Sequence, residues 1–234
     1  MPNTYFQFKQ FRIEQSDAAM KVCTESCILG AYAQHPNPAR ILDIGTGTGL
    51  LSLMLAQKYP KAEIIALEPH QPSNYQAAYN FENSPWAANI NLLPTRLQDY
   101  LYNTSGNFDL IICNPPFYPG QHQKPKLNQA AHSFELPASE IIKAINRLLL
   151  PTGFAFILYP PSQSSVLQAM AKKADLRLKE KLHVKNNEMV SFFRIINVLD
   201  KQSSSTLEKE FVIRNNGNYS PGFIKLMKDY YLFL

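Results

Sequence analysis

The sequence predicts an α/β fold: a doubly wound sheet, mostly parallel, that ends in an antiparallel hairpin. Three observations predict it. From Arg40 onward, short β-rich runs alternate with segments of helical period, the pattern of parallel strands joined by crossover helices. The first strand runs into a glycine-rich turn and then an apolar helix. Near the other end, two strand-like runs follow each other without a helix between them.

Taken in order, strands are expected at 41–44, 64–67, 90–93, 110–113, 154–159, 178–184 and 192–199, and helices at 49–58, 73–83, 138–149 and 164–174. Before Arg40, residues 5–13 alternate like a strand and 25–34 read as a helix. Residues 1–38 are expected to form a lid segment at the edge of one domain spanning 1–234, with no repeat or long linker. The run Ser203-Ser204-Ser205 reads as a loose turn. In such sheets ligands bind outside the carboxyl ends of the strands, which directs attention to the residues after Ile44, Leu67 and Cys113.

Composition excludes several classes. At 45% hydrophobic and 18% charged residues the chain is neither disordered nor collagen-like. It contains no apolar run long enough to span a membrane, and its N-terminus lacks the basic and apolar regions of a secretory signal. Three cysteines, with no C-x-x-C pair and no neighbouring His or Cys ligands, suggest neither disulfides nor a metal site. A reducing cytoplasm fits them best. Residues 1–120 hold 7 basic and 9 acidic side chains, and residues 121–234 hold 16 and 9. The densest basic stretch contains Lys172, Lys173, Arg177, Lys179, Lys181 and Lys185, which suits a polyanion and equally suits a solvated face.

Asp43, Gly45, Thr46, Gly47 and Gly49 form the first strand-to-helix turn. Glycines there let main-chain N–H groups approach a nucleoside. The dinucleotide fingerprint is broken by Leu50 where a third spaced glycine would fall, which disfavours hydride transfer. Glu68, after the second strand, is placed to accept hydrogen bonds from ribose hydroxyls.

The fourth strand runs into Asn114-Pro115-Pro116-Phe117-Tyr118. A conjugated exocyclic or amide nitrogen is a poor nucleophile until its lone pair is localised. The Asn114 side-chain oxygen and the Pro115 carbonyl can accept its two hydrogens, while Pro116 helps fix their spacing. Phe117 and Tyr118 would stack on an extruded base.

Together these motifs resemble the class I methyltransferases of the N6-adenine type, whose glycine loop and Asn-Pro-Pro-aromatic tetrapeptide stand here at Asp43 to Gly49 and Asn114 to Phe117. Phe6-x-Phe8-Lys-Gln-Phe11, Met20-Lys-Val-Cys-Thr24, Leu29-Gly-Ala31, Ser84-Pro-Trp86 and Tyr219-Ser-Pro with Tyr230-Tyr-Leu232 are similar to the bacterial enzymes that methylate the adenine beside the anticodon, position 37, of a valine tRNA. The resemblance implies a Rossmann-like seven-stranded methyltransferase sheet, S-adenosyl-L-methionine as cofactor and tRNA as partner; no metal and a cytoplasmic location are expected from the cysteines, and a monomer is favoured while the sequence leaves the oligomeric state open. The resemblance also implies cofactor contacts by Thr24, Asp43, Gly45, Thr46, Gly47, Gly49, Glu68, Gln98, Asp99 and Asn114.

The chain departs from the family at two places. It has Glu25 where Asp is usual, and Ala130-Ala131-His132 where Ala-Arg-His is usual. Lys124 and Lys126 stand near the missing Arg and can serve as point charges. His132 is an RNA contact or an ordinary histidine. Three alternatives stay open at this level: an rRNA guanine-N2 methyltransferase, a protein glutamine-N5 methyltransferase and a non-catalytic RNA-binding module.

Overall fold

The computed structural model describes residues 3–16, 18, 20–104, 106–116 and 136–234. In chain order the elements are β1 (Tyr5–Gln7), β2 (Arg12–Glu14), α1 (Thr24–Tyr32), β3 (Arg40–Ile44), α2 (Leu50–Lys58), β4 (Glu63–Leu67), α3 (Gln71–Glu82), β5 (Ile90–Leu93), α4 (Leu97–Asn103), β6 (Phe108–Cys113), α5 (Ala138–Leu148), β7 (Leu149–Tyr159), α6 (Pro161–Lys173), β8 (Arg177–Lys185), β9 (Arg194–Asp200), β10 (Leu207–Val212), β11 (Arg214–Asn215), β12 (Asn218–Tyr219) and α7 (Pro221–Met227).

The main sheet has the order β10, β8, β9, β7, β6, β3, β4, β5. All neighbours are parallel except β7 with β9 and β8 with β9, so β8 and β9 are the antiparallel hairpin that the sequence predicts. The expected seven strands are present, and β10 adds an eighth, parallel to β8. That strand escapes sequence reading because it is short and at the edge, with Leu207, Glu208, Lys209 and Glu210 all exposed. The polar helix α4 was likewise not expected, since only Leu97 and Leu101 of it are buried.

Alternating strand residues divide the core between two faces. Ile41, Leu110 and Ile112 pack toward α1, α2, α3 and α7, while Leu42, Ile44, Ile111 and Cys113 pack toward α4, α5 and α6. Helices thus cover both faces, leaving the carboxyl ends of β3, β4 and β6 at one rim. Among the described residues no helix is long and apolar enough to cross a membrane.

The expected single strand at 5–13 is two short antiparallel strands, β1 and β2. The alternation fails where Phe8 and Phe11 both turn inward and stack, with ring centroids 4.5 Å apart. This N-terminal hairpin meets the C-terminus: Phe8 bridges Tyr231, and the Lys9 N–H donates to the Tyr230 carbonyl at 2.8 Å. Phe223 of α7 also packs edge-on against Tyr231, at 5.9 Å. The two terminal sequence motifs are therefore one packed cluster, and α1 lies against α7 beside it. Asn80 ties the hairpin to the sheet side by accepting from the Glu14 N–H and donating to the Glu14 and Thr48 carbonyls.

Phe8 is fully buried at the centre of this cluster. Phe8→Ala is expected to lower stability by about 3–5 kcal/mol, measured by urea unfolding. A loss below about 1 kcal/mol would mean that the termini are not part of the cooperative core.

Candidate active site

The turn after β3 is organised around a buried carboxylate. Asp43 is fully buried, and its Oδ2 accepts from Thr46 Oγ1 at 2.6 Å and Ser52 Oγ at 2.7 Å. The Thr46 N–H donates to the Leu67 carbonyl at 2.9 Å, which ties the turn to the end of β4. The other oxygen, Asp43 Oδ1, is buried without a partner among the described residues. Such an acceptor costs free energy until a donor reaches it.

Gly45 and Gly47 have φ of +72° and +59°, and no atom lies within 4 Å of where a side chain would begin. They leave open a cradle that a Cβ would enter. Gly49 has different surroundings. A Cβ on it would sit 2.4 Å from Phe81 Cε1, and its N–H already donates to the Thr46 carbonyl. Its role is to let α3 pack against the start of α2.

Glu68 follows β4 and is buried. Its Oε2 accepts from the Gly47 N–H at 2.9 Å and its Oε1 from the His70 N–H at 2.8 Å. The carboxylate thereby shapes the glycine loop while each oxygen keeps a second lone pair for a ligand hydroxyl. Burial pushes the Glu68 carboxyl up, against the two backbone N–H bonds. Gln98 and Asp99 occupy the first turn of α4, just beyond β5, half-buried and exposed respectively. Thr24 opens α1 and is half-buried.

Asn114 directly follows β6, beside the glycine loop of the neighbouring strand β3. It is buried, and its Nδ2 donates to Ser26 Oγ of α1 at 2.9 Å. Its Oδ1 is buried and unpartnered among the described residues. Pro115 is buried and Pro116 exposed. Phe117, Tyr118, Lys124, Lys126 and His132 lie outside the described residues. Sequence reasoning overlooked Ser26, since a serine inside a helical segment carries no signal until the fold brings β6 beside it.

The basic stretch divides. Lys181 pairs with Glu208 at 2.9 Å and Lys185 with Glu210 at 2.8 Å, so β10 neutralises two of its charges. Lys172 and Lys173 end α6, and Arg177 and Lys179 begin β8. Arg177 lies opposite Asp200 in the strand register, next to the Leu199 that faces Ala155 early in β7, so these charges sit at the rim opposite the glycine loop. The stretch is not one continuous polyanion surface at the site.

Cys23 is half-buried, and Cys27 and Cys113 are buried. Burial raises all three thiols, Cys27 to about 12, which disfavours thiolate ligands. No group of three or more candidate metal ligands occurs among the described residues.

Comparison with known proteins adds to this geometry. Residues 21–153 match the family model described as methyltransferase small domain. Proteins described as tRNA1(Val) (adenine(37)-N6)-methyltransferase are similar over nearly the whole chain. The one from Dyadobacter fermentans is 38% identical, over 98% of both chains. That from Cytophaga hutchinsonii is 34% identical over 99% of both, and that from Vibrio parahaemolyticus 33% over 97% of this chain and 95% of its own. Among solved structures, a methyltransferase from Pyrococcus furiosus superposes with a TM-score of 0.59 at 20% identity, covering 82% of this chain and 90% of its own. A chain from Agrobacterium tumefaciens described as a predicted O-methyltransferase gives 0.68 at 18% identity, over 87% and 95%. At such identities these two speak to the fold alone.

Burial pushes the Asp43 carboxyl up to about 6, against the Thr46 and Ser52 hydrogen bonds. The folded protein thus holds this proton more tightly than the unfolded chain, so stability decreases as pH rises from about 4 to about 6. Asp43→Asn is expected to flatten that slope in thermal melts recorded across this window. An unchanged slope would mean that Asp43 is ionised in the folded protein well below pH 6.

Proposed function

Since this chain belongs to the tRNA1(Val) (adenine(37)-N6)-methyltransferase family, we propose that it transfers a methyl group from S-adenosyl-L-methionine to N6 of adenine 37 in a valine tRNA. The observation that carries the reading is the Asn114 amide at the end of β6, with Nδ2 anchored and Oδ1 buried and unpartnered among the described residues.

The cofactor pocket fits on the same kind of observation. Gly45 and Gly47 leave a cradle open, Asp43 Oδ1 waits for a donor, and Glu68 retains lone pairs for ribose hydroxyls. Thr24, Thr46, Gly49, Gln98 and Asp99 complete the proposed set. Bound S-adenosyl-L-methionine supplies an electrophilic methyl group. Asn114 Oδ1 and the Pro115 carbonyl accept the two amine hydrogens, which localises the N6 lone pair toward that methyl. Phe117 and Tyr118 are proposed to stack on the extruded adenine, and Lys124, Lys126 and His132 to contact the RNA. The chain acts in the cytoplasm as a single-domain monomer, with residues 1–38 as its lid and no metal.

The direct test is methylation of valine tRNA with labelled cofactor followed by nucleoside analysis. The expected product is N6-methyladenosine at position 37; N2-methylguanosine, or no incorporation, would overturn the reading. Asn114→Ala is expected to lower kcat by about 10²–10³-fold, as removal of an aligned acceptor does elsewhere, with S-adenosylhomocysteine affinity almost unchanged by calorimetry.

The geometry also revises the expected RNA footprint. Replacing Lys172, Lys173 and Lys179 with Ala should leave the salt dependence of tRNA binding unchanged, because these charges lie at the rim away from the glycine loop. If they neutralised phosphates, the log–log slope would instead flatten by roughly 0.7–0.9 per lysine.

A further inference from the structure

Asn114 is useful to an amine only in one of its two amide orientations. With Oδ1 toward the reacting site it accepts an amine hydrogen, whereas with Nδ2 there it opposes one donor with another. Ser26 alone does not decide between them, because its hydroxyl both donates and accepts.

The neighbours of Ser26 supply the missing direction. Ser26 Oγ lies 2.8 Å from Cys23 Sγ, and the Glu25 side chain lies beside the same thiol. Glu25 in turn pairs with Arg194 of β9 at 3.5 Å. A carboxylate offers a thiol only acceptors, so the Cys23 thiol hydrogen turns toward Glu25 in this reading. The sulfur then accepts the Ser26 hydroxyl hydrogen, and the Ser26 oxygen is left with lone pairs alone for Asn114. Only Nδ2 can satisfy it.

We infer that Glu25, Cys23 and Ser26 form a directional hydrogen-bond chain that holds Asn114 with its side-chain oxygen facing the reacting amine. These three are positioning residues, acting through Asn114. The chain is assembled by tertiary structure: α1 supplies Glu25 and Ser26, the residue capping its N-terminus is Cys23, β9 fixes Glu25 and β6 presents Asn114. Ser26 and Asn114 are both buried, so water does not substitute readily for a lost link.

The inference rests on the proposed amine methylation, and the test separates the two. Steady-state kinetics on valine tRNA would be measured for Ser26→Ala, Cys23→Ala and Cys23→Ser, with melting temperatures taken alongside. Ser26→Ala and Cys23→Ala are expected to lower kcat about tenfold with little change in KM for either substrate, because a misturned acceptor costs the transition state and not ground-state binding. Cys23→Ser keeps both a donor for Glu25 and an acceptor for Ser26, and should restore most of kcat. In the Asn114→Ala background, Ser26→Ala should add almost nothing.

Native kcat in Ser26→Ala would overturn the inference. So would a loss carried by KM, failure of Cys23→Ser to exceed Cys23→Ala, or a full additional loss in the Asn114→Ala background. Native turnover in Asn114→Ala itself would instead remove the catalytic reading on which the chain of bonds depends.

Discussion

Burial of the Asp43 carboxylate beneath the first turn is the constraint from which the rest of the site follows. A charged group taken fully out of water demands partners, and Thr46 and Ser52 provide them on one oxygen only. Meeting that demand folds the chain back over Asp43 between Ile44 and Leu50, and the glycines take the left-handed backbone that the fold-back requires. The Gly47 N–H then meets Glu68 from the next strand, so two carboxylates on adjacent strands shape one loop. Both carboxyls are raised by burial. That is the electrostatic signature of a site built around acceptors that await a ligand's donors.

The second requirement is a fixed geometry between this loop and Asn114. Parallel pairing of β3 with β6 places Ile44 opposite Cys113, which sets the two following turns side by side. Strand pairing fixes where Asn114 begins but not how its amide is turned. That task falls to α1, a helix outside the sheet that is held by packing against α2 and α7 and by Lys58, whose Nζ donates to the Ala31 and Ala33 carbonyls at its C-terminus. The aromatic cluster of the two chain ends lies beside the same helix. The two chain ends therefore support the element to which the Asn114 amide is hydrogen-bonded.

Charge is distributed by the same logic of pairing. The basic second half looked like a nucleic-acid surface, yet β10 brings Glu208 and Glu210 against Lys181, His183 and Lys185. An exposed edge strand with matched charges discourages further strand pairing. Much of the positive balance on β8 is thus neutralised within the sheet, and the excess at Lys172 and Lys173 lies in the last turn of α6.

By itself the sequence determined the sheet class, the terminal hairpin, the glycine turn, Glu68 and Asn114, because each leaves a local trace: a hydrophobic period, a spacing of glycines, or a polar residue just past an apolar run. Its resemblance to a family reached as far as the reaction. Tertiary structure alone decided which side of Gly49 is filled, since Phe81 arrives from a helix about thirty residues away. It alone added β10, whose polar residues are stable as a strand only because β8 is already there to pair with. It alone joined Ser26 to Asn114, 88 residues apart. Periodicity records which face of an element is buried, but the partner of a buried polar atom depends on what the rest of the chain brings to it.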